Sequence, residues 1–116
     1  MRGPDDAQLG WIDLAAEAPF RLGCLHVRPA LREVRGPDGE PQHLEPRVMQ
    51  VLVALAQAGG EVVSRAVLIQ RCWHNVVVGD NAIQRAISRV RELASGPGAG
   101  SFEVETIARV GYRLTQ

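Results

Sequence analysis

Apolar positions in this chain recur with two periods, and the switches between them outline the elements. From Asp80 to Ala94 (DNAIQRAISRVRELA), Ile83, Ala86, Ile87, Val90 and Leu93 repeat at helical spacing and form one stripe. The opposite side of that helix carries Asn81, Arg85, Ser88 and Arg89, with Gln84 and Arg91 on its flank. Asp80 is expected as N-cap, because its carboxylate accepts from unpaired first-turn amides. An earlier helix opens at Glu45-Pro46, where the missing proline N–H is harmless, and runs to Ala58 before Gly59-Gly60. Met49, Leu52, Leu55 and Ala56 form its stripe, while Val48, Val51 and Val53 make it apolar nearly all round. That belt leaves room for more than one partner, another protein included, and the segment around Trp11 is a candidate cover. Between the two lies a helix from Arg65 to Trp73, N-capped by Ser64, with Val67, Leu68, Cys72 and Trp73 facing inward.

Elsewhere the period is two. Phe20 to Val34 alternates in short pieces broken at Gly23 and Pro29-Ala30. Gly36-Pro37-Asp38-Gly39 is a turn, after which Gln42-His43-Leu44 returns as a fourth strand. The expected inward set is Phe20, Leu22, Leu25, Val27, Leu31 and Val34. Val62-Val63 makes a very short strand. At the far end Phe102 to Ile107 alternates, Ala108 to Gly111 turns and Tyr112 to Thr115 returns, placing Arg109 at a hairpin tip and Arg113 just after it. Ser95 to Ser101 is a Gly/Pro-rich connection. Residues 1–19 are expected as a partly disordered extension in which Leu9 to Ala18 docks as a short helix or strand, and 20–116 as the domain.

Four strands, three helices and a hairpin make an α+β chain. Two helices joined by a short loop and followed by a hairpin with an arginine at its tip match a winged helix-turn-helix with an N-terminal four-stranded antiparallel sheet. In that layout the last helix enters a major groove and the hairpin, the wing, reaches the backbone or adjacent minor groove. The polar face of 80–94 then acquires a meaning beyond a solvated surface. Short amide and hydroxyl groups suit base edges, and guanidinium forks suit guanine or phosphate.

Composition changes this picture little. The 116 residues allow one core, and the formal net charge is zero. The acidic residues Asp5, Asp6, Asp13 and Glu17 lie early, which leaves the rest of the chain net basic. Every basic residue is arginine, a usage that genomic base composition explains as well as function does. No apolar run approaches the ~20 residues that span a bilayer, and no signal pattern opens the chain, so a cytoplasmic domain is expected unless a membrane segment follows residue 116. Cys24-Leu25-His26 and Cys72-Trp73-His74 form two Cys-x-His pairs. Side chains two apart on a helix diverge by about 200°, so the second pair cannot chelate, and Cys72 reads as a core residue. Neither a nucleophile elbow nor paired carboxylates nor a Gly-Lys-Ser/Thr phosphate loop is present, so no enzyme, cofactor or small-molecule substrate is expected. Trp73 and Tyr112 are expected in the core. A winged helix kept for protein contacts alone, and a small metal or redox domain built on Cys24 and Cys72, are the rival readings.

The run LEPRVMQVLVALAQAGGEVVSRAVLIQRCW from Leu44 to Trp73 resembles the first two helices of OmpR/PhoB-type winged-helix domains. GDNAIQRAISRVREL is similar to that family's recognition helix, and ThrIleAlaArgValGlyTyrArgLeu to its wing, with the hallmark Gly111-Tyr112-Arg113. The resemblance covers roughly residues 20 to 115. With no room for a receiver domain in 19 preceding residues, the chain looks like the ToxR/CadC-like branch, whose DNA-binding domain comes first and whose sensor follows. The resemblance implies sequence-specific duplex DNA binding, transcription regulation and signal transduction. It assigns base reading to Arg89, and base or phosphate approach to Asn81, Gln84 and Arg85. Ser88, Arg91 and Thr106 are implied at phosphates, and Arg109 is the wing arginine that enters a minor groove. Ser64 and Arg65 at the start of the second helix are further phosphate candidates, as is Arg113. Ser88 replaces the arginine of some members, which implies a weaker backbone grip. The loop His74 to Gly79 matches one that touches RNA polymerase in this family, although Val76, Val77 and Val78 fit an inward tuck equally well. Tandem pairing on DNA is a further implication.

Overall fold

The computed structural model describes residues 10–37, 39–96 and 100–116. Four strands, β1 (Phe20–Leu22), β2 (Leu25–Arg28), β3 (Glu33–Arg35) and β4 (Pro41–His43), form an antiparallel meander in sequence order. The helices are α1 (Pro46–Gln57), α2 (Arg65–Cys72) and α3 (Asp80–Ser95). A second sheet, ordered β5-β7-β6, joins β5 (Val63–Ser64) to the hairpin β6 (Glu103–Ile107) and β7 (Gly111–Thr115). The architecture is the expected winged helix-turn-helix. Asp38, read as part of a turn, and Pro97, Gly98 and Ala99 of the Gly/Pro-rich connection lie outside the described residues, as do residues 1–9.

Helix α1 is the centre of the core. Val48 to Leu55 is buried on every side, with α2, α3 and β7 packed around it. The apolar belt that left room for a partner protein is thus used internally. Part of the cover comes from upstream. Ile12 is 1% exposed, its N–H donates to the Arg71 carbonyl at 3.0 Å, and its own carbonyl accepts from the buried Gln50 side chain at 2.9 Å. A 3₁₀ turn, Leu14–Ala16, follows and is capped by Asp13.

Three local expectations are corrected. Leu31 does not face inward and is 51% exposed. Pro29 starts a 3₁₀ turn, Pro29–Leu31, and Arg32 takes a left-handed φ of 53°, so the alternation is interrupted before Val34 pairs with Val27. The N-cap of α3 is Gly79, not Asp80; Asp80 is the first helical residue and its carboxylate is engaged by Arg65. Helix α2 ends at Cys72, with Trp73 as C-cap, because His74 and Asn75 follow at left-handed φ of 53° and 62°.

Two glycines fix close approaches. A Cβ on Gly23, in the β1–β2 turn, would lie 2.6 Å from the Ser101 side chain, and the Cys24 N–H donates to Ser101 Oγ at 2.9 Å. The meander is thereby tied to the segment that leads into the hairpin. A Cβ on Gly111 would lie 2.1 Å from the Val63 carbonyl oxygen, so only glycine lets β5 pair against β7 here.

Candidate nucleic-acid interface

Helix α3 divides as its sequence demands. Ile83, Ala86, Ile87, Val90 and Leu93 are buried, and Asn81, Gln84, Arg85, Ser88, Arg89 and Arg91 are exposed. Asp80 pairs with Arg65, which joins the starts of α2 and α3. Asp80 also places a carboxylate in the first turn, where the positive end of the helix favours it. The Ser64 hydroxyl caps α2 by accepting from the Val67 N–H at 3.1 Å, as the sequence indicated.

The wing lies along one flank of α3. Gln84, Ser88 and Arg91 share a groove with Thr106 and Tyr112. Arg91 spans it: Nε donates to the Val104 carbonyl at 3.1 Å and Nη2 to Thr106 Oγ1 at 2.7 Å. Two sequence candidates therefore bond to each other, and Arg91 braces the wing. Thr106 keeps its own O–H for another acceptor. At the tip Arg109 adopts φ 66° in the Ala108–Val110 turn and is exposed. Arg113 is half-buried, and its Nε donates to Glu105 Oε1 at 2.7 Å. Tyr112 and Trp73 are core residues, as expected.

The other flank of α3 faces the first two helices. Arg85 lines a second groove with Glu45, Arg47, Trp73, Ala82 and Ala86. Arg89 lies 3.5 Å from Glu92 in an exposed i,i+3 pair, which holds it only weakly. The loop after α2 is exposed at Val76 and, at 93%, Val77, whereas Val78 packs on the core. Its first residue, His74, stacks on Trp11.

Two arginines escaped the sequence reading. Arg71 is buried, with Nε donating to the Gly10 carbonyl at 3.1 Å and Nη2 to Gln57 Oε1 at 2.8 Å; burial lowers its pKa. No local period signals these partners. Arg47 donates to the Cys72 carbonyl and lies 5.3 Å over the Trp73 ring. It did leave a signal, since a cation in the first turn of a helix opposes the helix dipole. Among the described residues no group of three or more His, Cys, Asp or Glu is placed to hold a metal ion.

Residues 39–114 match the family model described as "Transcriptional regulatory protein, C terminal". The chain belongs to this family. Among its relatives is the transcriptional activator CadC of Escherichia coli (strain K12), 32% identical over 95 residues that make up 81% of this chain. Those residues are 18% of CadC, so the chain spans less than a fifth of that relative's length. The solved DNA-binding domain of E. coli CadC superposes with a TM-score of 0.72 at 31% identity, covering 82% of this chain and 89% of that one. The DNA-binding domain of CpxR from E. coli gives 0.71 at 27% identity, covering 84% of this chain and 96% of that one. No helix among the described residues is long and apolar enough to cross a membrane.

Proposed function

We propose that this chain binds double-stranded DNA sequence-specifically and is the DNA-contacting part of a transcriptional regulator. Helix α3 lies in a major groove, with Arg89, Asn81 and Gln84 toward base edges and Arg85 at a base edge or phosphate. Ser64, Arg65, Ser88, Arg91 and Thr106 face phosphates, and the wing brings Arg109, with Arg113 behind it, to the backbone or minor groove. The single observation that carries this reading is the unobstructed exposed face of α3. Asn81, Arg85 and Ser88 stand free, and Arg89 is held only by its weak exposed pair with Glu92, on a helix whose other side is wholly buried, beside a wing whose tip bears an arginine. The likeness to the CadC and CpxR DNA-binding domains supports it.

A major groove about 12 Å wide admits one α-helix, and short polar side chains at its start with arginines farther along suit base edges and phosphates in turn. The exposed Val76 and Val77 favour a protein contact at loop 74–79, for which RNA polymerase is the candidate. Tandem homodimers on DNA and a cytoplasmic setting complete the proposal. Selection of duplexes from a random pool, followed by fluorescence anisotropy, tests it. A defined motif should emerge and bind at least about a thousandfold more tightly than a scrambled duplex. Failure to enrich any motif, with equal binding to all duplexes, would reject sequence-specific recognition.

A further inference from the structure

The exposed face of α3 has two flanks, and a major groove has two phosphate rails. The wing serves one flank, through the Arg91–Thr106 side. The other flank is the groove shared by Arg85, Arg47, Trp73 and Glu45, which no wing residue lines.

Arg47 is unusual at its own site. It follows Pro46 in the first turn of α1, a turn that contains no acidic residue, where the helix dipole disfavours a cation. Its guanidinium is nonetheless held in place, 5.3 Å over the Trp73 ring and bonded to the carbonyl that ends α2. The cation–π contact and the single bond restrict the guanidinium and leave its other N–H donors available. Two guanidinium groups thus line one groove with a single carboxylate, that of Glu45. Repulsion between like charges is relieved when an anion enters.

From this geometry we infer that Arg47 is a phosphate contact, forming with Arg85 a clamp on the DNA rail opposite the wing. The inference rests on the placement of α3 in a major groove. Trp73 acts as the platform that orders the guanidinium before DNA arrives, which reduces the entropy lost on binding. Neither phosphate rail is then left uncontacted, and the helix is held from both sides.

The test measures salt dependence of affinity by fluorescence anisotropy, on a duplex recovered by selection and on a scrambled duplex. Wild type, Arg47→Gln, Arg47→Lys and the distant control Arg21→Gln are compared. Arg47→Gln should bind both duplexes about tenfold more weakly. Its log–log salt slope should be shallower by about 0.9, the value for one phosphate contact. Arg47→Lys should recover most of the slope, and Arg21→Gln should match wild type. A purely structural role for Arg47 would lower the competent fraction and leave the slope unchanged, and that result overturns the inference. Loss on the selected duplex alone also overturns it, because a phosphate contact carries no sequence information. If wild type itself shows no salt-dependent binding to either duplex, the DNA-binding reading fails and takes the clamp with it.

Discussion

Arg91 on α3 donates to Thr106 on β6 across 2.7 Å, and to the Val104 carbonyl beside it across 3.1 Å. The reading helix and the wing are thereby fixed in one relative orientation. Arg91→Ala should cost about 1 kcal/mol of stability and weaken binding to selected and scrambled DNA alike. Arg91→Lys should fail to restore the brace, because an ammonium lacks the planar fork that makes both bonds. Thermal unfolding alongside anisotropy checks this; full rescue by lysine would show that charge alone matters there.

Gly111 in the Gly-Tyr-Arg motif has a steric reason for being glycine. Any Cβ would press on the Val63 carbonyl oxygen, and β5 would have to leave β7. Gly111→Ala should destabilise the domain by about 3 kcal/mol, as seen in urea denaturation. A variant as stable as wild type would mean that the strand pair yields easily.

Residues upstream of the first strand contribute to the core. Ile12→Ala should lower stability by roughly 2–5 kcal/mol, since it empties a fully enclosed site. The same urea titration decides it, and a loss under about 0.5 kcal/mol, typical of surface changes, would show that the segment only rests on α1.

Burial pushes the Cys72 thiol up to about 12, against the opposing pull of Arg71 and Arg47. In the unfolded chain the same thiol ionises near its ordinary value of 9.0. Between these two pH values the unfolded state has lost a proton that the native state keeps. Stability should therefore fall with rising pH across that window, by up to about 1.4 kcal/mol per pH unit, and Cys72→Ser should remove that dependence. Near neutral pH a thiol reagent should modify the exposed Cys24 at once and reach Cys72 only through opening of the fold. Equal labelling of both would contradict the burial.

Much of this molecule is written in local pattern. The α3 stripe, the hairpin and the β1–β2 pair appear where the periods of Ile83 to Leu93, Phe102 to Thr115 and Phe20 to Val27 place them. These elements each bury one face, so their period is visible within a few residues. Leu31 was misread because Pro29 replaces a strand with a 3₁₀ turn, and a left-handed Arg32 resets the alternation. Asp80 was misread because Gly79 takes the cap position, and its carboxylate pairs with Arg65, fifteen residues earlier, instead of capping first-turn amides. The roles of Arg47, which showed only as a cation in a helix's first turn, and of Arg71 were hidden for a related reason. Their partners, the Cys72 carbonyl, Trp73, Gly10 and Gln57, come together only when α1, α2 and the upstream segment pack. In the candidate site the helix and wing residues could be read from position alone, but the bonds that divide them into braces and free contacts could not.

The central claim is that the exposed arginine edge of α3 reads bases. Its most direct test is Arg89→Ala, measured at fixed salt on a selected duplex and on a scrambled one. A loss of about 1–3 kcal/mol on the selected duplex, with binding to the scrambled duplex nearly unchanged, is the predicted result. An equal loss on both duplexes would contradict it and reduce Arg89 to a backbone contact.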